Sequence, residues 1–337
     1  MPTSYLLSSI TLNFGIFAFF TSLTIGLIVI VLTLFGVRKI FGTYKYLMVI
    51  FTSLSVVLAF TEALFKPNLH FYNSGLVYFA LSSAFGLSKK TMNMVLAAYA
   101  GIYSLTISLL AVQFIYRYWA LIGLHYMIYF TGFRFIIWFV YCFVFGFSWC
   151  IGSYFLLQMD QDTKDYFQQD MRFGYNVAIE DIPAFYVLYF HPKDGSIRWN
   201  SVMYTASLSF IMTMQYGIMV YCGWNMHAKM EQTMQSFSNT LKRHHRQLFR
   251  TLVFQITCPT IFLFSPLVII MYLPFFGIEC SFPAGGVFSA ISVYPIMDSI
   301  IVLVVVSEYR VVVKRMWDSL FGNKSLRNFE ILKIVYN

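Results

Sequence analysis

The chain has 337 residues, of which 59% are hydrophobic, 20% aromatic and only 11% charged, with a formal charge of +9. About a quarter of an average soluble domain is charged, and apolar surface on this scale would aggregate in water unless lipid covered it. These figures exclude a soluble enzyme, a disordered chain and a nucleic-acid-binding module, so the basic excess must be read by its position relative to a membrane.

A helix crosses a hydrocarbon core with about 20 apolar residues. No charge precedes Arg38, and the first predicted span is 12–35. The others are 47–65, 91–116, 135–157, 199–223, 249–273 and 285–308. Apolar runs of this length read as helices, because lipid offers the backbone no partners and barrel strands are much shorter. The expected fold is therefore an all-α membrane protein, a seven-transmembrane helix bundle forming one domain with a tail from 309 to 337. The start, MPTSYLLSSITLNFG, lacks a basic region, so the first span reads as a retained anchor. Pro67–Ser88, with its Pro, Asn, His and Gly, reads as a loop, with a re-entrant piece as the alternative. Tyr118–Gly132 is too short to span and also reads as a loop.

Charge sets the expected orientation. With the N-terminus outside, sixteen of the 23 Lys and Arg fall inside, while the loop between the fourth and fifth spans holds seven of the 14 acids. The positive-inside rule then puts the N-terminus outside and the C-terminus inside. Arg310–Phe321 reads as a short amphipathic helix on the inner interface, with Val312, Val313, Met316, Trp317 and Leu320 along one side. The sequon Asn323-Lys324-Ser325 falls inside and is expected to stay unmodified. Four of the five cysteines sit in or at the edges of spans and read as small buried apolar residues. Cys280 falls in an outer loop, where pairing with Cys150 is left open.

No two of the six histidines have ligand spacing on a span, and no internal repeat or buried acid–base set is visible. No metal or other cofactor is expected, nor an enzyme. Two acids do lie within spans, where a carboxylate needs a partner or water. Glu62 is near the outer end of the second span. Asp298 lies near mid-membrane on the face of Pro295, which frees a backbone carbonyl and invites a kink. At the inner end of the third span, Arg117 stands between Tyr116 and Tyr118.

Three segments together resemble the nematode seven-helix chemoreceptors of the Str superfamily. YPIMDSIIVLVVVSEYR (Tyr294–Arg310) is similar to the family's seventh-helix signature, and FIYRYWAL (Phe114–Leu121) to its third-helix inner end. RHHRQLFRTLVFQITCPTIFLFSP (Arg243–Pro266) resembles its sixth-helix entry, with Gln247, Leu248, Phe249, Leu252, Gln255 and Pro259 in the pattern. The resemblance implies an odorant- or pheromone-type G-protein-coupled receptor in the ciliary membrane of sensory neurons. It would bind a small molecule in the outer half of the bundle and activate a heterotrimeric G protein. It also implies coupling or switch roles for Tyr116, Arg117, Arg243, Arg246, Arg250, Pro295, Asp298, Tyr309 and Arg310. Ser299 departs from the signature, which has proline there, and no acid precedes Arg117. The outer end of the third span and the acidic loop lack the cysteines that rhodopsin-like receptors join.

Depth in the bundle nominates Glu62, Tyr99, Tyr103, Tyr204, Ser207, Ser292 and Tyr294 as ligand contacts. The aromatic excess suits a volatile or lipophilic ligand and equally suits lipid contact. The alternatives are an odorant-gated channel subunit, with its N-terminus inside, and a membrane transporter, which calls for more buried ionisable groups.

Overall fold

Each apolar run forms a long helix in the computed structural model, which describes residues 3–36, 43–234, 253–278, 280–305 and 309–314. The bundle helices are α1 (Thr3–Val31), α2 (Tyr44–Phe65), α3 (Lys89–Ile122), α4 (Ile136–Leu156), α6 (Trp199–Met234), α7 (Val253–Phe276) and α8 (Gly286–Val305). Six are apolar enough by mean hydropathy to cross a membrane. The seventh, α6, carries Gln215 and Asn225 and is less apolar, yet it packs in the same bundle against α3 and α4. A shorter amphipathic helix, α5 (Gln161–Tyr175), lies in the connection between α4 and α6.

The most buried helix is α3, which packs against α2, α4 and α6, while α1 packs against α2 and α8. Gly101 of α3 and Gly146 of α4 let two backbones touch. A Cβ at Gly101 would fall 2.9 Å from the Gly146 carbonyl oxygen, and one at Gly146 would fall 3.0 Å from that of Gly101. Lipid gives helices no hydrophobic drive to associate, so close packing at small residues has to supply it. Pro259 leads α7 into a π-helical turn at Thr260–Phe264, where Ser265 Oγ donates to the Thr260 carbonyl 2.5 Å away. That bond offsets part of what the irregular turn leaves unpaired.

One end of the bundle is closed by a sheet that the sequence reading did not anticipate. Pro67–Ser88 is not a loop throughout. It begins as a β-hairpin of β1 (Pro67–Tyr72) and β2 (Gly75–Ala80), turned by Asn73 at φ 48° and Ser74. β3 (Ala184–Leu188) and β4 (Ser281–Pro283) complete an antiparallel sheet in the order β3-β2-β1-β4. Strand alternation gives it two apolar faces. Leu69, Phe71, Leu76, Phe185 and Val187 pack on the helical core. Val77, Phe79 and Leu188 pack on Phe167, Met171 and Tyr175 of α5. The order of layers is therefore α5, sheet, bundle.

Other expectations also change. Residues 118–122 of the expected inner loop extend α3, and 3₁₀ turns occupy Leu124–Phe130 and Gly132–Phe135. All five cysteines are free thiols, so Cys150 and Cys280 do not pair. Of the expected amphipathic tail, 309–314 is helical. There Val312 packs onto the core beside Gly36, whereas Val313 is exposed. The remainder of that segment lies outside the described residues.

Candidate functional site

Two polar or aromatic clusters occupy the bundle, one beneath the sheet and one near the opposite end. Beneath the sheet is a cavity of about 80 Å³. Leu69, Leu76, Tyr78 and Val187 of the sheet form its roof, and Tyr99, Tyr103, Trp149, Tyr204 and Phe288 are among its helical walls. The tyrosine hydroxyls are already committed to the protein. Tyr78 donates to the Leu96 carbonyl at 3.0 Å and Tyr103 to the Leu263 carbonyl at 2.7 Å. Tyr99 donates to Glu62 Oε2 at 3.0 Å, and Tyr204 accepts from Trp149 Nε1 at 2.6 Å. Among the described residues, no charged side chain lines the cavity. It therefore offers aromatic and aliphatic surface rather than hydrogen-bonding capacity. A larger recess of about 460 Å³, lined by Leu47, Leu105, Trp138 and Phe143, lies between α2, α3 and α4. Its α4 wall of Phe139, Val140 and Phe143 is exposed on the outside of the bundle.

Tyr99, Tyr103 and Tyr204 of the nominated ligand contacts thus line the cavity. The others do not. Glu62 is buried outside it, bonded to Tyr99 and to Ser292, whose hydroxyl donates to Oε1 at 2.5 Å. Tyr294 is buried edge-on against Phe51, with ring centroids 6.2 Å apart. Ser207 is exposed, because the helical period that turns Tyr204 and Leu208 inward turns Ser207 away.

Near the opposite end, Arg117 of α3 donates from its two terminal nitrogens to Gln255 Oε1 on α7 and to the Tyr44 hydroxyl on α2. The guanidinium also lies over the Tyr44 ring, 5.0 Å from its centroid. Tyr116 packs between Tyr44 and Phe130 at centroid distances of 5.1 and 4.8 Å. Arg117 and Asp298 line one small cavity with Thr52, Gln113, Gln255 and Ser299. The arginine with no acid beside it in sequence thus faces an acid from another helix. Pro295 lies inside α8, one turn before Asp298.

Tyr309 is fully buried, with its hydroxyl 2.6 Å from Thr33 Oγ1, whereas Arg310 is exposed. Arg243, Arg246 and Arg250 lie outside the described residues. Among the described residues, no three His, Cys, Asp or Glu side chains gather as metal ligands.

Sequence reasoning missed Tyr44 and Gln255 as partners of Arg117, and Gln113, which accepts from the Tyr44 hydroxyl at 3.4 Å. Gln255 stood in the sixth-helix pattern without a role, and Tyr44 lies just before the predicted second span. Tyr78 was hidden by the missed hairpin, although FYNSGLVYF carried the signal of two strand-forming runs of aromatic and β-branched residues around the turn residues Asn-Ser-Gly.

The family comparisons agree with this architecture. Residues 11–314 match the model of the serpentine type 7TM GPCR chemoreceptor Str family. G-protein coupled receptor str-33 of Caenorhabditis elegans is 33% identical over 323 residues, covering 94% of this chain and 93% of that protein. Serpentine receptor class r-10 of the same organism is 26% identical, with 90% and 89% covered. A third relative, G-protein coupled receptor str-217, is 22% identical over 301 residues. A bundle of membrane-length helices, matched over nearly its whole length, makes this chain a multi-pass membrane receptor of the Str family of serpentine G-protein-coupled chemoreceptors.

Proposed function

We propose that the chain is a chemosensory receptor that binds a small neutral molecule beneath the sheet and activates a heterotrimeric G protein at the Arg117 end. The sheet end faces outward and the C-terminus inward, in the plasma membrane of sensory cilia. The charge pattern of the sequence supports that orientation: the connection between α4 and α6 holds seven of the 14 acids, while sixteen of the 23 basic residues fall in the segments assigned to the inside.

The observation that carries the reading is that α3 and α8 each run through both clusters. α3 supplies Tyr99 and Tyr103 to the cavity and Arg117 to the opposite end; α8 supplies Phe288 and Asp298. A ligand that favours one arrangement of the cavity walls therefore shifts the population of arrangements around Arg117. Pro295 is the hinge, and Tyr309, Arg310, Tyr116 and the basic run Arg243, Arg246 and Arg250 belong to the G-protein face.

Cavity size and chemistry narrow the ligand. An apolar protein cavity of roughly 150 Å³ holds benzene. The space here is smaller, and its wall has no charge to pair with an ion. Ligand-dependent calcium or cAMP signalling in a heterologous cell, screened with neutral alcohols, ketones and esters of about three or four carbons, tests the reading. Both Arg117→Ala and Asp298→Asn should abolish or sharply weaken the response. A response that survives both unchanged would remove the proposed switch.

A further inference from the structure

Glu62 touches the cavity only through an intermediary. Tyr99 gives its ring to the cavity wall and its hydroxyl to Glu62 Oε2, and Ser292 of α8 donates to Oε1. One carboxylate on α2 therefore gathers hydroxyls from α3 and α8. Both donors are neutral, so this is not a salt bridge, and a carboxylate in a bundle interior is costly. Packing alone would be served by an apolar side chain.

Position along α8 gives the arrangement a use. Phe288 lines the cavity and meets the Tyr99 ring edge-on at 5.6 Å; Ser292 is one turn further on. Pro295 follows and cannot donate to the carbonyl four residues earlier, which makes it the weak point of the helix. Asp298 is next, facing Arg117 across the lower cavity. The helix is thus held by a polar contact on one side of its weak point and faces a charged partner on the other.

We infer that Glu62 is a positioning residue that couples the cavity to the bend of α8 by sharing its carboxylate between Tyr99 and Ser292. A molecule that displaces the Tyr99 ring draws its hydroxyl from Oε2. The carboxylate then re-centres on Ser292, and α8 turns about Pro295, changing how Asp298 meets Arg117. Coupling of this kind requires an element with two arrangements that both sites bias, and α8 is that element.

The direction of the effect rests on the ligand reading above, but the test does not need a ligand. The full chain, with Cys150 and Cys280 replaced by alanine, is reconstituted in lipid nanodiscs with spin labels at Leu121→Cys and Val304→Cys. Both labelled residues are exposed near the end opposite the sheet. Tyr99→Phe keeps the cavity ring and removes only the donor; Ser292→Ala and Glu62→Gln alter the other partners. Tyr99→Phe leaves the carboxylate to Ser292, whereas Ser292→Ala frees α8 from it. These two should shift the inter-label distance in opposite directions by about 2 Å, the scale of a helix displacement, and Glu62→Gln should shift it as well. Adding Tyr99→Phe or Ser292→Ala to Glu62→Gln should produce no further shift.

Distances like those of the parent in all three variants, or shifts that simply add, would overturn the inference. Monodisperse elution of the conservative Tyr99→Phe variant guards against misfolding. Leu208→Phe, which narrows the cavity from its α6 wall and leaves Tyr99, Glu62 and Ser292 themselves unaltered, separates the two proposals. If it leaves the response to the alcohol, ketone and ester panel intact while the network variants still shift the distance, the ligand reading falls and the coupling stands.

Discussion

The two ends of the bundle are held by different kinds of bond. At the sheet end, four strands bring together chain from β1 to β4 through backbone hydrogen bonds, with apolar side chains packed on both faces. At the opposite end, Arg117 joins α2, α3 and α7 through single side-chain bonds around a cavity of about 10 Å³. A ladder with packed faces changes little when one contact is lost. A cluster centred on one guanidinium can be rearranged by moving one group. The first kind of construction suits a preorganised chamber, and the second suits a switch.

The largest expected effect tests the sheet end at its polar anchor. His70 is fully buried in β1, bonded to Asp170 and Tyr175 of α5, with Ser281 of β4 3.2 Å from its Nε2. His70→Ala leaves a carboxylate and a buried hydroxyl without that partner and should lower stability by about 3 kcal/mol. Thermal unfolding of the purified receptor measures it; a loss under about 1 kcal/mol would mean that the apolar faces hold α5 by themselves. Gly75→Val comes next, because a Cβ there falls 2.4 Å from Phe167, and overpacking of this kind costs about 1–3 kcal/mol. Loss of surface expression together with a lower melting temperature would register it.

Arg117→Ala should reverse the pattern. Its folded stability should fall by less than that of His70→Ala, because the guanidinium is only half-buried, while nucleotide exchange on a co-expressed G protein falls at least about tenfold, equivalent to about 1.4 kcal/mol. Equal losses in both readouts would make the opposite end as structural as the sheet. Tyr189→Phe, which removes the donor to the Met271 carbonyl at 2.7 Å and so loosens the sheet end from α7, should cost about 1 kcal/mol without changing signalling.

The smallest effect is one of pH. Burial pushes the Asp160 carboxyl up, but the Thr163 N–H and the Arg198 guanidinium outweigh it and hold the group below the usual carboxylate range. Its contribution is therefore complete above about pH 4 and lost as pH falls through the lower folded value. Amide exchange in α5 should quicken on acidification through that range, and Arg198→Gln should flatten the dependence.

The helices were legible in the sequence because lipid imposes a length and forbids charge, so the gaps between Arg38, Lys66, Arg117 and the later charges marked the spans. The sheet was not. Its strands are six residues long or shorter, and apart from the β1–β2 hairpin its pairing joins segments more than a hundred residues apart, which no local period records. Asn68 and His70 looked like loop residues, yet both are buried and bonded, Asn68 to Ser8 of α1. At the candidate site, Arg117 and Asp298 were readable as charges in the wrong solvent. Their neighbours Gln113 and Gln255, and Tyr44 bonded to Arg117, are uncharged residues whose roles exist only once three helices meet.

The position of β4 has a consequence for how the receptor is made. β1 and β2 are available early in synthesis, but β1 cannot receive its outer neighbour until residue 283 has been translated. Pairings of such long sequence separation form slowly, because a large loop must be closed before they contribute. Closure of the chamber is therefore a late event in biogenesis, and it reports that nearly every helix has already been inserted. A receptor that lost its register earlier would reach the end of translation with an open β1 edge, a surface that quality-control factors can read as unfinished.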